Sequence, residues 1–302
     1  EAIKQIVVSC NKYLKDRALN FNEVNVPSLR VMAIQNRIEK ERLKSNLIIS
    51  KDAERVFWDE YLSSYFILAK SPDYREYLIS LNDALGKNIP DEKILDAGCG
   101  TGNFGAYLIA NRLDSQLLAN GSGQITKYAY TGLDLIEKVL HDAKKEHVAL
   151  MGEFKRRNVE FDITTEYQAA NIEEGLNFST NTFDKICLSL VLSYLFKPLE
   201  VLAEFKRILK PGGRIVISSL KPYCDLSIIY TNFVSHASSE LELREARNLL
   251  SNAGMIKKKE SAGIYRFFSD QELKALLIAT GFKRVRSSFS FGNQASIACG
   301  EK

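Results

Sequence analysis

The sequence lacks the features that mark several classes of protein. Its five cysteines are odd in number, widely spaced and never in a C-x-x-C pair, so neither a disulfide framework nor a zinc site is indicated. The three histidines have no metal-ligand spacing either. The 41 basic and 37 acidic side chains leave a net charge of only +4, which is too small over this length to indicate a nucleic-acid partner.

Long hydrophobic runs are also absent. The longest, from Ile186 to Leu192, contains Ser189 and is far shorter than the roughly 20 residues that span a bilayer. No charged and apolar leader opens the sequence, so we expect a cytoplasmic enzyme without a membrane span. The first residue is Glu1 and not methionine, which leaves a trimmed end or a piece of a longer protein open.

The first part of the chain has helical patterns only. Apolar residues recur at helical spacing within residues 28–40. Further on, Ser71 is typical of a helix N-cap, Pro72 of a first helical position and Gly86 of a helix end. We therefore expect residues 1–90 to form an N-terminal helical cap.

From Glu92 onward, short apolar runs alternate with amphipathic helices. This alternation predicts a Rossmann-like, doubly wound α/β fold with a mostly parallel seven-stranded sheet and helices on both faces. The expected strands lie at 93–98, 128–135, 167–172, 183–192, 213–220, 283–291 and 295–302, and the expected helices at 103–112, 136–150, 198–210 and 270–280.

Residues 221–268 interrupt the alternation with polar and aromatic sequence. We expect this segment to be an insertion over the ligand edge of the sheet, within a domain that covers residues 91–302. The helix after it is well marked, because Ser269 and Glu272 match a capping box and Gly281 is typical of a helix end.

One short stretch, "KILDAGCGTGNFG" at residues 93–105, is unusually rich in glycine. Its glycines fall where the first strand ends and the next helix begins. They could close a tight packing corner, or they could let a ligand approach bare backbone, as the first strand-to-helix turn of such a sheet does. Alternate glycines are more than a corner needs, since each one costs stability, and we favour the ligand.

The same stretch limits the kind of ligand. Gly100, Gly102 and Gly105 match the dinucleotide fingerprint G-x-G-x-x-G. Asp96 lies inside the strand, two places before Gly98, where its charge would repel a pyrophosphate and attract a cation. The spacing D-x-G-x-G-x-G therefore favours a ligand with a positive amino-acid end and no phosphates.

With these motifs the chain resembles a class I S-adenosylmethionine-dependent methyltransferase, of the methyltransferase 11 or UbiE-like small-molecule type. The resemblance covers roughly residues 60 to 302. It rests on motifs in the expected order: "ILDAGCGTGNFG", "YTGLDL", "AANIEE", "FDKICLSLVLSYL", "LKPGG" and "FFSDQELKALLIATGF".

The resemblance implies S-adenosyl-L-methionine as cofactor and gives roles to particular residues. Asp134 takes the position that binds the ribose hydroxyls, where a carboxylate can accept two hydrogen bonds; its alternative role is a helix cap. Asn171 takes the adenine-side position, or is a plain turn asparagine. Leu135 and Ile172 would sandwich the adenine ring, or belong to the core. The implied cofactor-binding set is Asp96, Gly98, Gly100, Gly102, Asp134, Leu135, Asn171, Ile172 and Ser189, the last through its backbone carbonyl.

In one place the sequence departs from the family pattern. Many relatives carry one or two histidines just after the fourth strand, where this chain has Ser193 and Tyr194. A general base is therefore unassigned, and Tyr194 is the candidate catalytic residue. Aromatic residues suggest an apolar or aromatic acceptor under a lid made by 221–268 and the N-terminal helices, with Tyr65, Tyr194, Tyr223 and Tyr230 as candidate acceptor contacts. The alternative is that these aromatic residues only pack the cap onto the sheet.

We interpret the chain as an enzyme that transfers a methyl group in line from the sulfonium to a small acceptor, without metal or nucleic acid. Oxygen, nitrogen and carbon acceptors remain open, as does the oligomeric state. Two alternatives are an NAD(P)-dependent oxidoreductase and a methyltransferase-fold module that binds without catalysis. A nucleic-acid methyltransferase would be expected to carry an N-P-P-Y-like or catalytic cysteine motif or a basic RNA-binding domain, and the sequence has none of these.

Overall fold

Residues 51–63, 65–118, 126–225, 227, 231, 234 and 239–302 are described by the computed structural model. Its strands are β1 (Glu92–Ala97), β2 (Thr126–Asp134), β3 (Phe161–Ala169), β4 (Phe183–Leu188), β5 (Leu209–Leu220), β6 (Lys283–Ser290) and β7 (Ala295–Glu301). Its α-helices are α1 (Lys51–Ser63), α2 (Pro72–Leu85), α3 (Asn103–Leu118), α4 (Glu137–Arg156), α5 (Pro198–Ile208), α6 (Glu240–Ser261) and α7 (Asp270–Ala279), and 3-10 turns span Tyr65–Lys70 and Leu192–Tyr194.

The seven strands form one sheet in the order β3-β2-β1-β4-β5-β7-β6. β1 to β5 pair in parallel, and β7 runs antiparallel to both β5 and β6. The order reverses at β1, whose residue Asp96 lies opposite Gly132 of β2 and Cys187 of β4. Ligands of open α/β sheets bind outside the carboxyl ends of the strands at such a reversal. The predicted doubly wound fold is confirmed.

Both faces of the sheet are covered by apolar packing. Ile94 of β1 belongs to one buried cluster together with Leu108 of α3, and the next residue, Leu95, belongs to the other together with Phe205 of α5. Successive side chains of a strand point to opposite faces, so β1 is buried on both sides. No helix within the described ranges is long and apolar enough to cross a membrane.

The helix signals read from the sequence agree with the structure in most places. Ser269 and Glu272 form the complete capping box at the start of α7, and Gly281 follows its end with φ +80°. Gly86 ends α2 with φ +78°. Ser71 occupies the N-cap of α2, but its hydroxyl makes no capping hydrogen bond. The helical pattern predicted at 28–40 lies outside the described residues.

Two elements differ most from expectation; in addition, the fourth strand, expected at 183–192, ends at Leu188, and the fifth, expected at 213–220, begins at Leu209. The third strand was expected at 167–172 but runs from Phe161 to Ala169. It is an edge strand with alternating partly buried and exposed residues, and a search for apolar runs misses that pattern. The second difference is α6, a 22-residue helix inside the segment 221–268. Its start is marked by Ser239, whose side chain accepts a hydrogen bond from the Glu242 amide.

At the amino ends of the strands, a buried ion cluster ties β1 to its neighbours. Glu92 pairs with Arg112 of α3, and its other oxygen lies 2.5 Å from Nζ of Lys185 on β4. Lys185 also donates to the backbone carbonyl of Lys87 at 2.9 Å. Burial lowers the pKa of Lys185, and the contact with Glu92 opposes that shift. All of these charges are therefore paired at the edge of the sheet away from the glycine turn.

Candidate active site

The glycine turn after β1 uses backbone conformations that favour glycine. Gly98, Gly100 and Gly102 have φ of +74°, +52° and +79°, in the left-handed region where a side chain is strained. The amides of Gly98 and Cys99 both donate to the carbonyl of Leu133, at 2.7 and 2.8 Å. The turn is therefore fixed against the end of β2.

The glycines of the turn differ in what surrounds them. A Cβ at Gly102 would lie 2.7 Å from Cβ of Ala143, and one at Gly105 would overlap the His147 ring; these two glycines allow α3 and α4 to pack closely. Gly98 and Gly100 line a cavity at the carboxyl edge of the sheet, and a Cβ at Gly98 would also overlap the Val191 side chain. Gly102 and Gly105 thus serve close packing, and the approach of a ligand to the backbone of Gly98 and Gly100 stays a prediction.

His147 of α4 contacts the glycine turn through the carbonyl of Gly102. Its Nε2 lies 2.8 Å from the carbonyl of Gly102, and Nδ1 lies 2.6 Å from the hydroxyl of Tyr167. A carbonyl only accepts, so Nε2 carries the hydrogen and Nδ1 accepts from Tyr167. Burial lowers the pKa of His147, which favours this neutral form. No pattern in the sequence marks this role, because the ring contacts Gly102, which lies 45 positions away in the chain.

Asp96 lies at the floor of the cavity with one oxygen unpartnered. Its Oδ2 accepts a hydrogen bond from Tyr130 at 2.9 Å, whereas Oδ1 is buried without a partner among the described residues. Burial raises the pKa of Asp96 to about 7, and the Tyr130 hydrogen bond opposes the shift. A buried carboxylate of this kind gains from a cationic ligand, and the contact of Asp96 with the cofactor stays a prediction.

Asp134 ends β2 and holds the glycine turn. Its Oδ2 accepts from the Gly100 amide at 2.9 Å and its Oδ1 from the Ile136 amide at 3.0 Å. Helix α4 begins after Ile136, so the carboxylate closes the turn before the helix. Burial raises the pKa of Asp134, and these backbone amides oppose the rise. A carboxylate accepts about four hydrogen bonds, which leaves capacity for a ligand.

The residues expected around adenine meet at the ends of β2 and β3. Leu135, Asn171 and Ile172 all line the cavity; Leu135 is 38% exposed and Ile172 is buried. The Asn171 amide is engaged within its own loop, since Oδ1 accepts from the Glu173 amide at 3.1 Å and Nδ2 donates to Glu174 at 2.9 Å. Its contact with adenine stays a prediction.

The same cavity, about 730 Å³ in volume, continues from the strand ends to an aromatic wall. Trp58 packs on Tyr194 with ring centroids 4.5 Å apart, and Tyr61 packs on Tyr65 at 5.5 Å. The wall comes from α1, the two 3-10 turns, α2, the start of α3 and the turn between β6 and β7. Its aromatic members that face the cavity are Trp58, Tyr61, Tyr65, Tyr74, Phe104, Tyr194 and Phe291.

Two of the four predicted acceptor contacts lie on this wall. Tyr65 and Tyr194 line the cavity. Tyr223 does not: its side chain is 93% exposed, at a position with φ +60°, which corrects the expectation that it contacts the acceptor. Tyr230 lies outside the described residues. Trp58 and Tyr61 were missed, although they share the helical spacing of Phe57, Trp58, Tyr61 and Tyr65.

The wall tyrosines are neutral hydroxyl groups. Burial raises the pKa of Tyr65 to about 12, and it raises the pKa values of Tyr61 and Tyr194 well above their ordinary range. Neighbouring tyrosines add to the shift at Tyr61 and Tyr194, so these hydroxyls lie close together. At neutral pH they can donate hydrogen bonds, and they are poor bases.

Helices α1 and α6 cover the cavity and are joined by a partly buried charge cluster. Glu54 of α1 accepts from Lys259 of α6 at 2.6 Å and from the hydroxyl of Tyr265. Lys259 also lies 4.0 Å from the centroid of the Phe57 ring. Both oxygens of Glu54 are therefore engaged by the covering segments, although Glu54 also lines the cavity.

Comparison with known proteins places this geometry in a family. The family described as "Methyltransferase domain" matches residues 89–271, more than half of the chain. The chain belongs to this family. Its sheet order and glycine turn are those of a class I S-adenosylmethionine-dependent methyltransferase, and S-adenosylmethionine is the cofactor of that class.

Individual relatives agree with the family. The Ubiquinone/menaquinone biosynthesis C-methyltransferase UbiE of Cronobacter sakazakii is 32% identical over 179 residues, which are 56% of this chain and 65% of the relative. A demethylmenaquinone methyltransferase of Renibacterium salmoninarum is 25% identical over 168 residues, 55% of this chain and 57% of the relative. The chain thus spans less than two thirds of these curated relatives.

A solved structure described as an O-methyltransferase, from Nostoc punctiforme, shares the fold. It superimposes with a TM-score of 0.52 at 16% identity and covers 92% of this chain and 71% of that chain. At this identity the likeness concerns the fold alone.

The methyltransferase-family site has features that fit the cofactor of its class. The unpartnered Oδ1 of Asp96 suits an ammonium or sulfonium charge. Gly98 and Gly100 expose backbone to the cavity. Asp134 lies one strand away, at the end of β2, where it keeps free acceptor capacity.

Proposed function

We propose that this chain transfers a methyl group from S-adenosylmethionine to a small acceptor with an apolar, aromatic face. The observation that supports this best is the single cavity that joins Asp96, Gly98 and Asp134 to the aromatic wall around Trp58 and Tyr194. A cation-accepting floor and an aromatic wall within one cavity suit a methyl donor and an apolar ring held together.

The residues at the strand ends, which form the floor of the cavity, would hold the cofactor. We assign the ammonium group to Asp96, the ribose hydroxyls to Asp134, and the adenine ring to Leu135 and Ile172, with Asn171 at its edge. When bound, S-adenosylmethionine supplies an activated methyl group on a sulfonium. The chain's own contribution is to orient the acceptor and to exclude water under α1 and α6.

The wall indicates the acceptor class. Trp58, Tyr61, Tyr65 and Tyr194 offer ring faces and neutral hydroxyls, which suit a planar ring with an oxygen substituent. The relatives' names refer to ubiquinone and menaquinone, and we extend that chemistry to this chain as carbon methylation of a hydroquinone-type ring. The ring carbon takes the methyl group as its bond to sulfur breaks, S-adenosylhomocysteine leaves, and the proton of that ring carbon passes to solvent water. Tyr194 would donate a hydrogen bond to the acceptor's oxygen and would not remove a proton.

We also propose the division of the chain. Residues 1–90 would form the cap, residues 91–302 the cofactor domain, and residues 221–268 a lid. Support comes from α1 and α6, which lie in the cap and the lid and contribute Trp58 and Leu249 to the same cavity. Their partly buried cluster at Glu54 and Lys259 would stabilise the covered state.

Calorimetry on the full chain tests the cofactor, and transfer of a labelled methyl group tests the acceptor. We expect micromolar affinity for S-adenosylhomocysteine, about −8 kcal/mol, and none for NAD. Hydroquinone-type rings should be methylated in preference to matched aliphatic amines. Binding of NAD without binding of S-adenosylhomocysteine would overturn the proposal, and preference for the amines would overturn the acceptor class alone.

A further inference from the structure

Three hydroxyl groups meet in the interior beside the cavity. Tyr77 of α2 lies with its Oη 2.7 Å from Oγ of Ser189 and 2.6 Å from Oγ of Ser218. Tyr77 and Ser218 are fully buried, on α2 and β5, and Ser189 lines the cavity just after β4. Tyr77 lies before the residues that the family matches, so the family motifs do not include this contact.

The residue after Ser189 has an unusual backbone. Leu190 adopts φ +56°, a left-handed conformation that costs a residue with a side chain about 1 kcal/mol or more. Its amide donates to Oγ of Ser218 at 2.8 Å. Such a conformation persists only where the surroundings hold it; here the Ser218 hydroxyl, itself bonded to Tyr77, holds the amide, and the Leu190 side chain packs against the apolar core. Leu190 also lines the cavity.

The number of hydroxyl hydrogens fixes which group donates in the hydrogen bonds among Tyr77, Ser189 and Ser218. Ser218 accepts the Leu190 amide, and across the described ranges its own hydrogen has only Tyr77 as a partner. Leaving that hydrogen unpaired in a fully buried place would be costly. Ser218 therefore donates to Tyr77, and Tyr77 donates to Ser189. The Ser189 hydroxyl keeps its own hydrogen for a group in the cavity.

The position of Ser189 limits what that group is. β4 lies next to β1 on the side away from β2, so Ser189 is on the Asp96 side of the cavity and Asp134 is on the other. Asp96 suits a cation, whereas a hydroxyl donor suits an anion. An amino acid presents both groups together, and Ser189 would receive the carboxylate.

We propose that Tyr77 is a positioning residue for the cofactor. It fixes Ser189 and Leu190 so that the Ser189 hydroxyl donates to the carboxylate of the cofactor's amino-acid end. This proposal rests on the proposed function, because it assigns a further contact to S-adenosylmethionine.

The test compares two ligands that differ only at the amino-acid end. Tyr77→Phe should weaken S-adenosylhomocysteine about tenfold by calorimetry and leave methylthioadenosine, which lacks the amino acid, within about twofold of wild type. Tyr128→Phe is the matched control. Tyr128 is also a buried tyrosine, its hydroxyl has no partner in the described structure, and the substitution should change neither affinity.

Each outcome has a distinct meaning. If wild type does not bind S-adenosylhomocysteine, the proposed function is wrong. If wild type binds it and Tyr77→Phe binds it equally well, or if Tyr77→Phe weakens both ligands equally, the positioning role is wrong. Should Tyr77→Phe fail to fold, Ser189→Ala carries the same test, with the loss again expected only for S-adenosylhomocysteine.

Discussion

Strand β1 carries a buried carboxylate at each end, and the two have opposite surroundings. Glu92, at the amino end, has cationic partners on both oxygens, from Arg112 and Lys185. Asp96, four residues later, has only the Tyr130 hydroxyl on one oxygen and no partner for the other in the described structure. Both are nearly inaccessible to solvent, with exposures of 0% and 1%.

The difference separates a structural charge from a charge kept for a ligand. A buried carboxylate must be paired or it becomes protonated. At Glu92 the chain supplies the cations itself, whereas at Asp96 a cation must come from outside or the carboxyl tends toward its neutral form. With a pKa of about 7, the Asp96 carboxyl group is close to equally protonated and ionised at neutral pH. Removing each carboxylate should therefore have opposite effects on stability.

The largest effect is expected from Glu92→Ala. It leaves Arg112 and Lys185 buried without their shared anion, which typically costs about 3 to 5 kcal/mol. Denaturant unfolding should show this loss, and cofactor affinity per folded molecule should be unchanged because the strand's other end is intact. A loss below about 1 kcal/mol would mean that the cluster is not a structural requirement.

Asp96→Asn should stabilise the ligand-free protein at neutral and higher pH. A pKa of about 7 in the folded chain, against an ordinary 3.8, means that the folded state binds more protons between these values. Stability of the wild type should therefore fall as pH rises from about 4 to 7. Each pKa unit corresponds to about 1.4 kcal/mol, so the unfolding free energy can fall by at most about 4 kcal/mol over this range. We expect a fall of about 2 to 3 kcal/mol, because the protein around the ionised carboxylate relaxes.

The measurement is the unfolding free energy of both proteins at several pH values. The unfolding free energy of the Asn variant should not fall between pH 4 and 7. The variant should also bind S-adenosylhomocysteine more weakly, because the ammonium group of the ligand no longer meets an ionised carboxylate. In the wild type, binding near pH 6 should release a proton, which calorimetry in buffers of different ionisation enthalpy detects. A parallel pH dependence in wild type and variant would contradict the assignment of this titration to Asp96.

Asp134→Ala should act mainly on the cofactor. The carboxylate holds the amides of Gly100 and Ile136, and it would also hold ribose hydroxyls, so its loss should weaken binding by about 2 kcal/mol. Calorimetry and thermal unfolding together separate the two roles. Lower thermal stability with unchanged affinity would make Asp134 a turn residue only.

The fold could be predicted largely because its signals are local. Apolar runs, the glycine turn and the capping box at Ser269 and Glu272 each lie within a few residues of one another. The predicted position of β3 was wrong because an edge strand alternates partly buried and exposed residues and lacks a continuous apolar run. The polar helix α6 was missed, although Ser239 and Glu242 give the spacing of its N-terminal cap.

The site was only partly predictable. Asp96, Asp134 and the glycines follow strand ends that the sequence marks, so their convergence follows from the sheet. The pairing of Glu92 with Lys185 and the contacts of Tyr77 join residues roughly a hundred positions apart. No pattern in a single sequence specifies such contacts, because they depend on how helices pack on the sheet.

The smallest effect is expected from Tyr194→Phe, which distinguishes acceptor binding at the aromatic wall from cofactor binding at the floor of the cavity. Tyr194 lines the cavity and packs on Trp58, and its hydroxyl can donate to an acceptor oxygen. Tyr194→Phe keeps the ring and removes one neutral hydrogen bond, worth about 1 kcal/mol. Turnover should fall roughly fivefold to tenfold, whereas affinity for S-adenosylhomocysteine should change by less than twofold, since the floor is built from strand ends.

The control is again Tyr128→Phe, a buried tyrosine at the paired-charge end of the sheet. Its ring stays under the Arg112 guanidinium, 4.0 Å from the ring centroid, so stability, turnover and affinity should all be retained. If Tyr194→Phe lowers the melting temperature and leaves turnover per folded molecule unchanged, the wall is packing between the cap and the sheet. The acceptor then binds elsewhere in the cavity, and the distinction between a cofactor floor and an acceptor wall is wrong.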